Sequence, residues 1–429
     1  MTERIIQVDA LARVEGEGAL YIRLNGREIE KVEFRIFEPP RFFEAFLRGR
    51  DAFETPDITS RICGICPVAY IMSSCASIEM ALDVTVSPEI ELLRRLIYCG
   101  EWIQSHVLHA VLLHAPDFLG LDDAIQIAQS HPDLVKQALR LKKLGNSMME
   151  CIGGRAVHPV NTRVGGFYRA PDHAAVQALI PELEWGARAA RDLALHFAGF
   201  DFPEDEFDYH FVSLIHPDRY PIIEGRIGSS KGLNIAAEDF NAHFREEHVA
   251  HSSALHGHMR DGSVYLVGPL ARYANNFDLL TPECQATARE AGLGRVVRNP
   301  FKSILVRLIE VQYACQEAAR LARIYVPPDP AFIPTQPRAG EGHGCTEAPR
   351  GLCYHSYRLD AEGRIAQAQI VPPTSQNQPQ IEADLARVVA ANLDLSDKQL
   401  KWRCEQTIRN FDPCISCSTH FLKLTVDRV

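Results

Sequence analysis

Asp412-Pro413-Cys414-Ile415-Ser416-Cys417-Ser418-Thr419-His420 lies near the end of the chain. It holds a Cys-x-x-Cys, with a histidine three residues on, directly after a stretch that reads as a helix. A second Cys-x-x-Cys stands near the other end, in Arg61-Ile62-Cys63-Gly64-Ile65-Cys66-Pro67. Two such pairs supply four thiolates, enough to hold a soft or borderline metal. The sequence between them reads as scaffold that brings the pairs together and controls what reaches them.

A structural zinc site, an iron–sulfur cluster and a thioredoxin-type redox pair all use Cys-x-x-Cys. Zinc ribbons keep their pairs within a few tens of residues, because the metal substitutes for a small core. Here the pairs lie at opposite ends of a 429-residue chain that can build a core without metal. Neither pair follows a strand in a compact βαβ unit, as a thioredoxin motif would. The chain has twelve cysteines and no signal-peptide pattern at Met1-Thr2-Glu3-Arg4, so reduced thiols and a cytoplasmic setting are expected. Most of the eight other cysteines are expected to be small buried residues. A net charge of −10 argues against nucleic acid as a partner. No apolar run is long enough to span a bilayer.

Working outward, residues 5–38 alternate like strands, with Asn25-Gly26 as a hairpin turn. Phe42 to Gly49 reads as a short helix closed by glycine. Residues 90–114, 122–150, 173–199 and 301–325 carry apolar residues at helical spacing. Long helices of this kind pack most simply as a bundle. Residues 351–371 return to a hairpin pattern, turning at Asp360–Gly363. Ser396 with Gln399 resembles a capping box that starts a last helix ending before Pro413. The fold class expected is α+β, a central long-helix bundle flanked by small antiparallel sheets. It is read as one unit over 1–429: an N-terminal sheet and short helix in 1–60, a helical body in 61–350, a hairpin, last helix and Cys motif in 351–420, and a tail at 421–429.

Six segments, in order, resemble the large catalytic subunit of nickel–iron hydrogenases. They are Arg13-Val14-Glu15-Gly16, the acidic stretch from Phe43-Glu44 to Arg50, Arg61–Cys66, Glu347-Ala348-Pro349-Arg350-Gly351, Val371-Pro372-Pro373-Thr374, and Asp412–His420. The resemblance is greatest to the cytoplasmic bidirectional NAD(P)-linked and sulfhydrogenase-type members. It implies reversible oxidation of dihydrogen at a nickel–iron centre, the iron carrying carbon monoxide and cyanide. Cys63 and Cys414 would be terminal nickel thiolates, with Cys66 and Cys417 bridging nickel to iron. Arg350 would lie over the open side of the metals, with Pro349 and Thr374 around it, and Glu15 would be the first proton relay. Glu44 and His420 resemble the ligands of a magnesium ion.

Two positions depart from the family pattern. Tyr70 stands where a histidine is common, and Pro373 where a Ser or Thr would donate to a cyanide, leaving that contact to Thr374 or a backbone N–H. His158, in Gly153–Pro159, is expected to pack rather than ligate. The resemblance also implies partners: an iron–sulfur small subunit, diaphorase-type NAD(P)/flavin subunits, maturation proteins, and an endoprotease that cuts after His420. No iron–sulfur cluster is expected in this chain, and no Gly-x-Gly-x-x-Gly is present for a nicotinamide. Two readings stay open beside it. A hydrogen-sensing regulatory subunit would keep the same metal centre. A non-catalytic platform of the quinone-oxidoreductase type would lack the four cysteines.

Overall fold

The computed structural model describes residues 3–419. His420 and the 421–429 tail lie outside the described residues. The chain is α+β, as its patterning implies.

Glu3–Val8, Gly18–Asn25 and Glu28–Ile36 form an antiparallel sheet in the order of the chain. Leu20, Ile22 and Leu24 alternate onto one fully buried face, as period-two patterning requires. The turn falls at Gly26, whose φ of 65° suits a residue without Cβ.

The helical patterns form the bundle, with breaks where proline falls. Pro88–Val107 runs on through a π-helical segment, Leu108–His114. The expected 122–150 helix splits at His131 into Ala124–Ser130 and Pro132–Gly153. That over 173–199 splits into His173–Gln177 and Ile180–Phe197, the second led by Pro181. A proline cannot donate to the preceding turn but is well placed in a first turn, so it divides one periodic stretch into two helices. Ser303–Ile324 packs against both Pro88–Val107 and Ile180–Phe197. The helix from Pro88 crosses Pro132–Gly153 where Gly100 meets Gly145. A Cβ on Gly145 would stand 2.5 Å from the Gly100 carbonyl oxygen, so the small residues set this crossing distance.

The region 61–350 is not purely helical. It also holds Val212–Ile215 with Arg226–Ser229 and Asn234–Ile235, the hairpin Phe244–Val249 with Ser252–Met259, and the short pair Thr162–Arg163 with Gly166–Phe167. The 351–371 hairpin gains a third strand in front, Gly340–Ala348. Ala348 pairs with Gly351, so Pro349 and Arg350 form a two-residue turn.

That extra strand lies directly on Pro67–Leu82, the helix that follows the first Cys pair. Gly340, Gly342 and Gly344 share one face of the strand. They press on Ala81, Ser77 and Ser73, one helical turn apart. Ser77 Oγ donates to the Gly342 carbonyl at 2.7 Å, and Ser73 Oγ to that of Cys353 at 3.0 Å. A Cβ on Gly342 would come within 1.9 Å of the Ser77 carbonyl oxygen. Gly342→Ala should therefore cost about 3 kcal/mol, as a forced overpacking. Gly294→Ala, whose Cβ would meet nothing nearer than 3.6 Å, should stay within about 0.5 kcal/mol. Thermal midpoints of the two variants check this; equal midpoints would show that the strand does not depend on close approach.

Candidate metal centre

Cys63 and Cys66 sit in the loop between Thr55–Ser60 and Pro67–Leu82, and Cys414 and Cys417 at the short helix Ile415–Ser418. All four are buried and none forms a disulfide among the described residues. Cys63 Sγ lies 3.4 Å from Cys414 Sγ, Cys66 Sγ 3.7 Å from Cys417 Sγ, and Cys414 Sγ 2.7 Å from Cys417 Sγ. The first two separations suit thiolates around shared metal; the third exceeds the roughly 2.05 Å of a disulfide. The backbone N–H groups of Ile65 and Cys66 point at Cys63 Sγ, at 3.3 and 3.4 Å. Four thiols in one dry pocket cannot all ionise alike. The Cys63 thiol is pulled well below its usual range by the hydrogen bond from Cys414 and those of the other two thiols. Burial pushes Cys414 well above it. This is a soft donor set suited to nickel and low-spin iron.

The other motif residues converge on this pocket. Arg350, at its hairpin tip and 2% exposed, donates from Nε to the Asp412 carbonyl at 2.8 Å. Its Nη2 reaches Asp412 Oδ1 at 3.0 Å, and its buried Nη1 has no hydrogen-bond partner among the described residues. Thr374 Oγ1 accepts the Cys414 N–H at 3.0 Å and keeps its own proton to donate. Pro373 occupies the first turn of Pro373–Ala391, where its missing N–H costs nothing. Pro349 is buried in the turn beside Arg350. Glu15 bridges to Cys414 through backbone: its carbonyl accepts the Ile415 N–H at 3.0 Å, and Oε2 accepts the Ser416 N–H at 3.1 Å. Gly16 follows because a Cβ there would strike Ile415 and Glu38.

Tyr70 is buried, tilted against His355 with ring centroids 5.7 Å apart, and its hydroxyl has no partner among the described residues. Burial and the facing thiols Cys417 and Cys66 hold it protonated. His158 Nδ1 lies 2.8 Å from the Ser60 carbonyl, so its ring braces the backbone just before Arg61.

Glu44 stands apart from the thiols. Its Oε1 accepts the Ile370 N–H at 2.7 Å, and burial lifts the carboxyl to about 7. Arg41, three residues before it, donates its backbone N–H to the Thr419 carbonyl at 2.7 Å.

Three acidic or basic residues outside the sequence motifs support the site. Glu101, fully buried, accepts the N–H groups of Val68 and Ala69 at 2.6 and 3.1 Å, at the start of the helix that follows Cys66. Burial raises this carboxyl well above the usual range. Its readable signal was a glutamate one turn beyond Ile97 on an apolar helix face. Arg272 donates to Glu310 Oε1 and Oε2 at 2.8 and 2.7 Å, to Glu347 Oε2 at 3.0 Å, and to the carbonyls of Ala348 and Pro349 at 2.7 and 2.9 Å. It thereby grips the turn that presents Arg350. Glu246 accepts from Ser375 Oγ at 2.8 Å, and burial together with the charge of Glu44 lifts it to about 8. Arg272 and Glu246 gave no signal in the sequence.

A family model for nickel-dependent hydrogenases matches residues 41–137 and 262–420. Sulfhydrogenase 1 subunit alpha of Pyrococcus furiosus is 32% identical across 98% of both chains. The NAD-reducing hydrogenase HoxS subunit beta of Cupriavidus necator is 26% identical, covering 98% of this chain and 95% of its own. Among solved structures, an NAD+-reducing nickel–iron hydrogenase in its H2-reduced state superposes with a TM-score of 0.87 at 25% identity, over 97% of this chain and 99% of that one. With four thiols converging from the two ends of the chain, and that match across its length, the chain belongs to the nickel-dependent hydrogenase family.

Proposed function

We propose that this chain is the catalytic large subunit of a nickel–iron hydrogenase that reversibly splits dihydrogen into protons and electrons. The observation that carries this reading is the buried four-thiol pocket with the Arg350 guanidinium close enough to feel the charge of Cys414, Cys66 and Cys63. When bound, the nickel–iron centre supplies the redox-active metals at which dihydrogen is cleaved heterolytically, with carbon monoxide and cyanide on the iron.

The chain's own residues do the rest. Cys63 and Cys414 would hold nickel as terminal ligands, and Cys66 and Cys417 would bridge the two metals. Arg350, always charged and pinned by Asp412, would bring a cation near the thiols, with an Nη1 donor that has no partner among the described residues. Thr374, whose oxygen accepts the Cys414 N–H, keeps a hydroxyl proton that suits it to donate where Pro373 cannot. A proton released at a cysteine sulfur would pass to the Glu15 carboxyl, which accepts the Ser416 N–H two residues after Cys414. A half-buried position lets Glu15 pass that proton outward. Glu44 with His420 would hold a magnesium ion; Glu246 adds a second oxygen donor close enough to feel the charge of Glu44, which suits a hard cation.

Among the described residues no helix is long and apolar enough to cross a membrane. We read the chain as one functional unit that works in the cytoplasm. Electrons would leave through an iron–sulfur small subunit and then to NAD(P) on diaphorase-type flavin subunits, by analogy with the NAD-reducing relatives. Maturation proteins would build the centre, and an endoprotease would then remove the tail after His420.

Cys414→Ser should lose nickel and all hydrogen uptake while the chain stays soluble; full nickel content in that variant would displace the site assignment. Glu15→Gln should cut turnover by about 100-fold or more yet keep its metals and the interconversion of ortho- and para-hydrogen. Unchanged uptake would move the relay to another carboxyl group. Intact mass of active, nickel-loaded protein should end at His420, and a mass that includes Phe421–Val429 would show the tail retained.

A further inference from the structure

A second group of metal-binding side chains lies away from the four cysteines. His251 follows the strand Phe244–Val249, His256 lies on Ser252–Met259, and Glu382 on the helix Pro373–Ala391. The two histidines are five positions apart, an offset that on a regular strand would put them on opposite faces. His251 instead sits in the turn before Ser252, and the strand pairing is irregular between Ser252 and His256; both rings face Glu382. One donor atom from each of the three residues falls within 4.8 Å of the others.

An ion pair explains only part of this cluster. His251 Nε2 meets Glu382 Oε1 at 2.7 Å, and that oxygen also accepts the Phe34 N–H at 2.9 Å. His256 is left out. It is 2% exposed, and its Nδ1 points at Glu382 Oε2 from 4.0 Å, too far for a hydrogen bond but close enough for both atoms to share a cation. The two rings stand edge to face, 5.5 Å apart at 88°, with the carboxylate beside both.

We propose that His251, His256 and Glu382 form a second cation site, for a divalent transition ion of the zinc type. Two imidazoles and a carboxylate are a donor set for zinc, and they leave a fourth position open. Zinc held at about 2.0–2.1 Å from each donor would space the donors by roughly 3.3 Å. The two separations to Glu382, 2.7 and 4.0 Å, lie on either side of that value, so a turn of the carboxylate accommodates the ion. On the far side of the His251 ring, Nδ1 lies 4.0 Å from Glu33 Oε1, beyond direct hydrogen-bond reach, and Glu33 is itself held by Arg35 at 2.7 Å. Occupied, the site would brace the His251 turn against the helix whose first turn supports Cys414 through Thr374.

The test uses the untagged, matured enzyme with its partner subunits, dialysed against zinc(II) alone and then against buffer. One zinc per chain should remain beyond the nickel and iron. Its X-ray absorption should show nitrogen and oxygen neighbours only, at about 2.0–2.1 Å. His256→Ala and Glu382→Gln should each lose that zinc with nickel content unchanged. His251→Ala, at a half-buried turn position, gives the same reading should either of those fail to fold. Absence of retained zinc, retention in His251→Ala, or sulfur in the zinc shell would each overturn the proposal.

Discussion

Asp117, buried where the long helix run from Pro88 ends, takes Arg409 through both carboxylate oxygens at 2.7 Å and Arg13 through Oδ1 at 2.6 Å. Arg13 belongs to the N-terminal motif, and Arg409 leads into Asp412–Cys417. One carboxylate therefore fastens the two ends of the chain to the same helix end. Removing one partner of such a buried set leaves an unpaired charge, at about 3–5 kcal/mol. The Glu15–Cys414 bridge, the hydrogen bond from His109 to the Arg409 carbonyl, and those from Ser303 and Arg307 to the Asn410 carbonyl all lie within this frame. Four thiols can meet only because these segments are held in place.

The same rule, that buried charge must be paired, governs the other side of the pocket. Arg272 and Glu310 are wholly buried and joined by two hydrogen bonds. Burial alone would raise the Glu310 carboxyl, but Arg272 holds it down to about 2. The spare capacity of Arg272 goes to Glu347 and the turn carbonyls, while Trp102 Nε1 donates to the Glu347 carbonyl and its ring lies under Arg272. The turn bearing Arg350 is thus fixed from behind, and with it the cation that Arg350 brings near the thiols.

Close packing completes the site. The glycines at 340, 342 and 344 let a strand lie on the helix backbone that begins at Pro67, so the first Cys pair and the Arg350 turn sit in one rigid layer. That strand was not legible in the sequence, because three alternate glycines look like a loop when no partner is in view. The strands between 200 and 300 escaped for a related reason: they are short, and their pairing partners fix them more than their own residues do.

The sequence by itself determined the four-thiol group and the bundle. Cys63, Cys66, Cys414 and Cys417 are identified by residue type and spacing, because thiolate chemistry resides in the side chain. The long helices are identified by local apolar periodicity, and the Ser396–Gln399 cap by a short-range pattern the structure reproduces. Only the tertiary structure decided which polar groups support the thiol pocket and which gather away from it. Glu101, Arg272, Glu246 and the His251–His256–Glu382 group are ordinary charged or polar residues in their own segments. Burial sets each of them against groups from a distant part of the chain, and no local pattern records that.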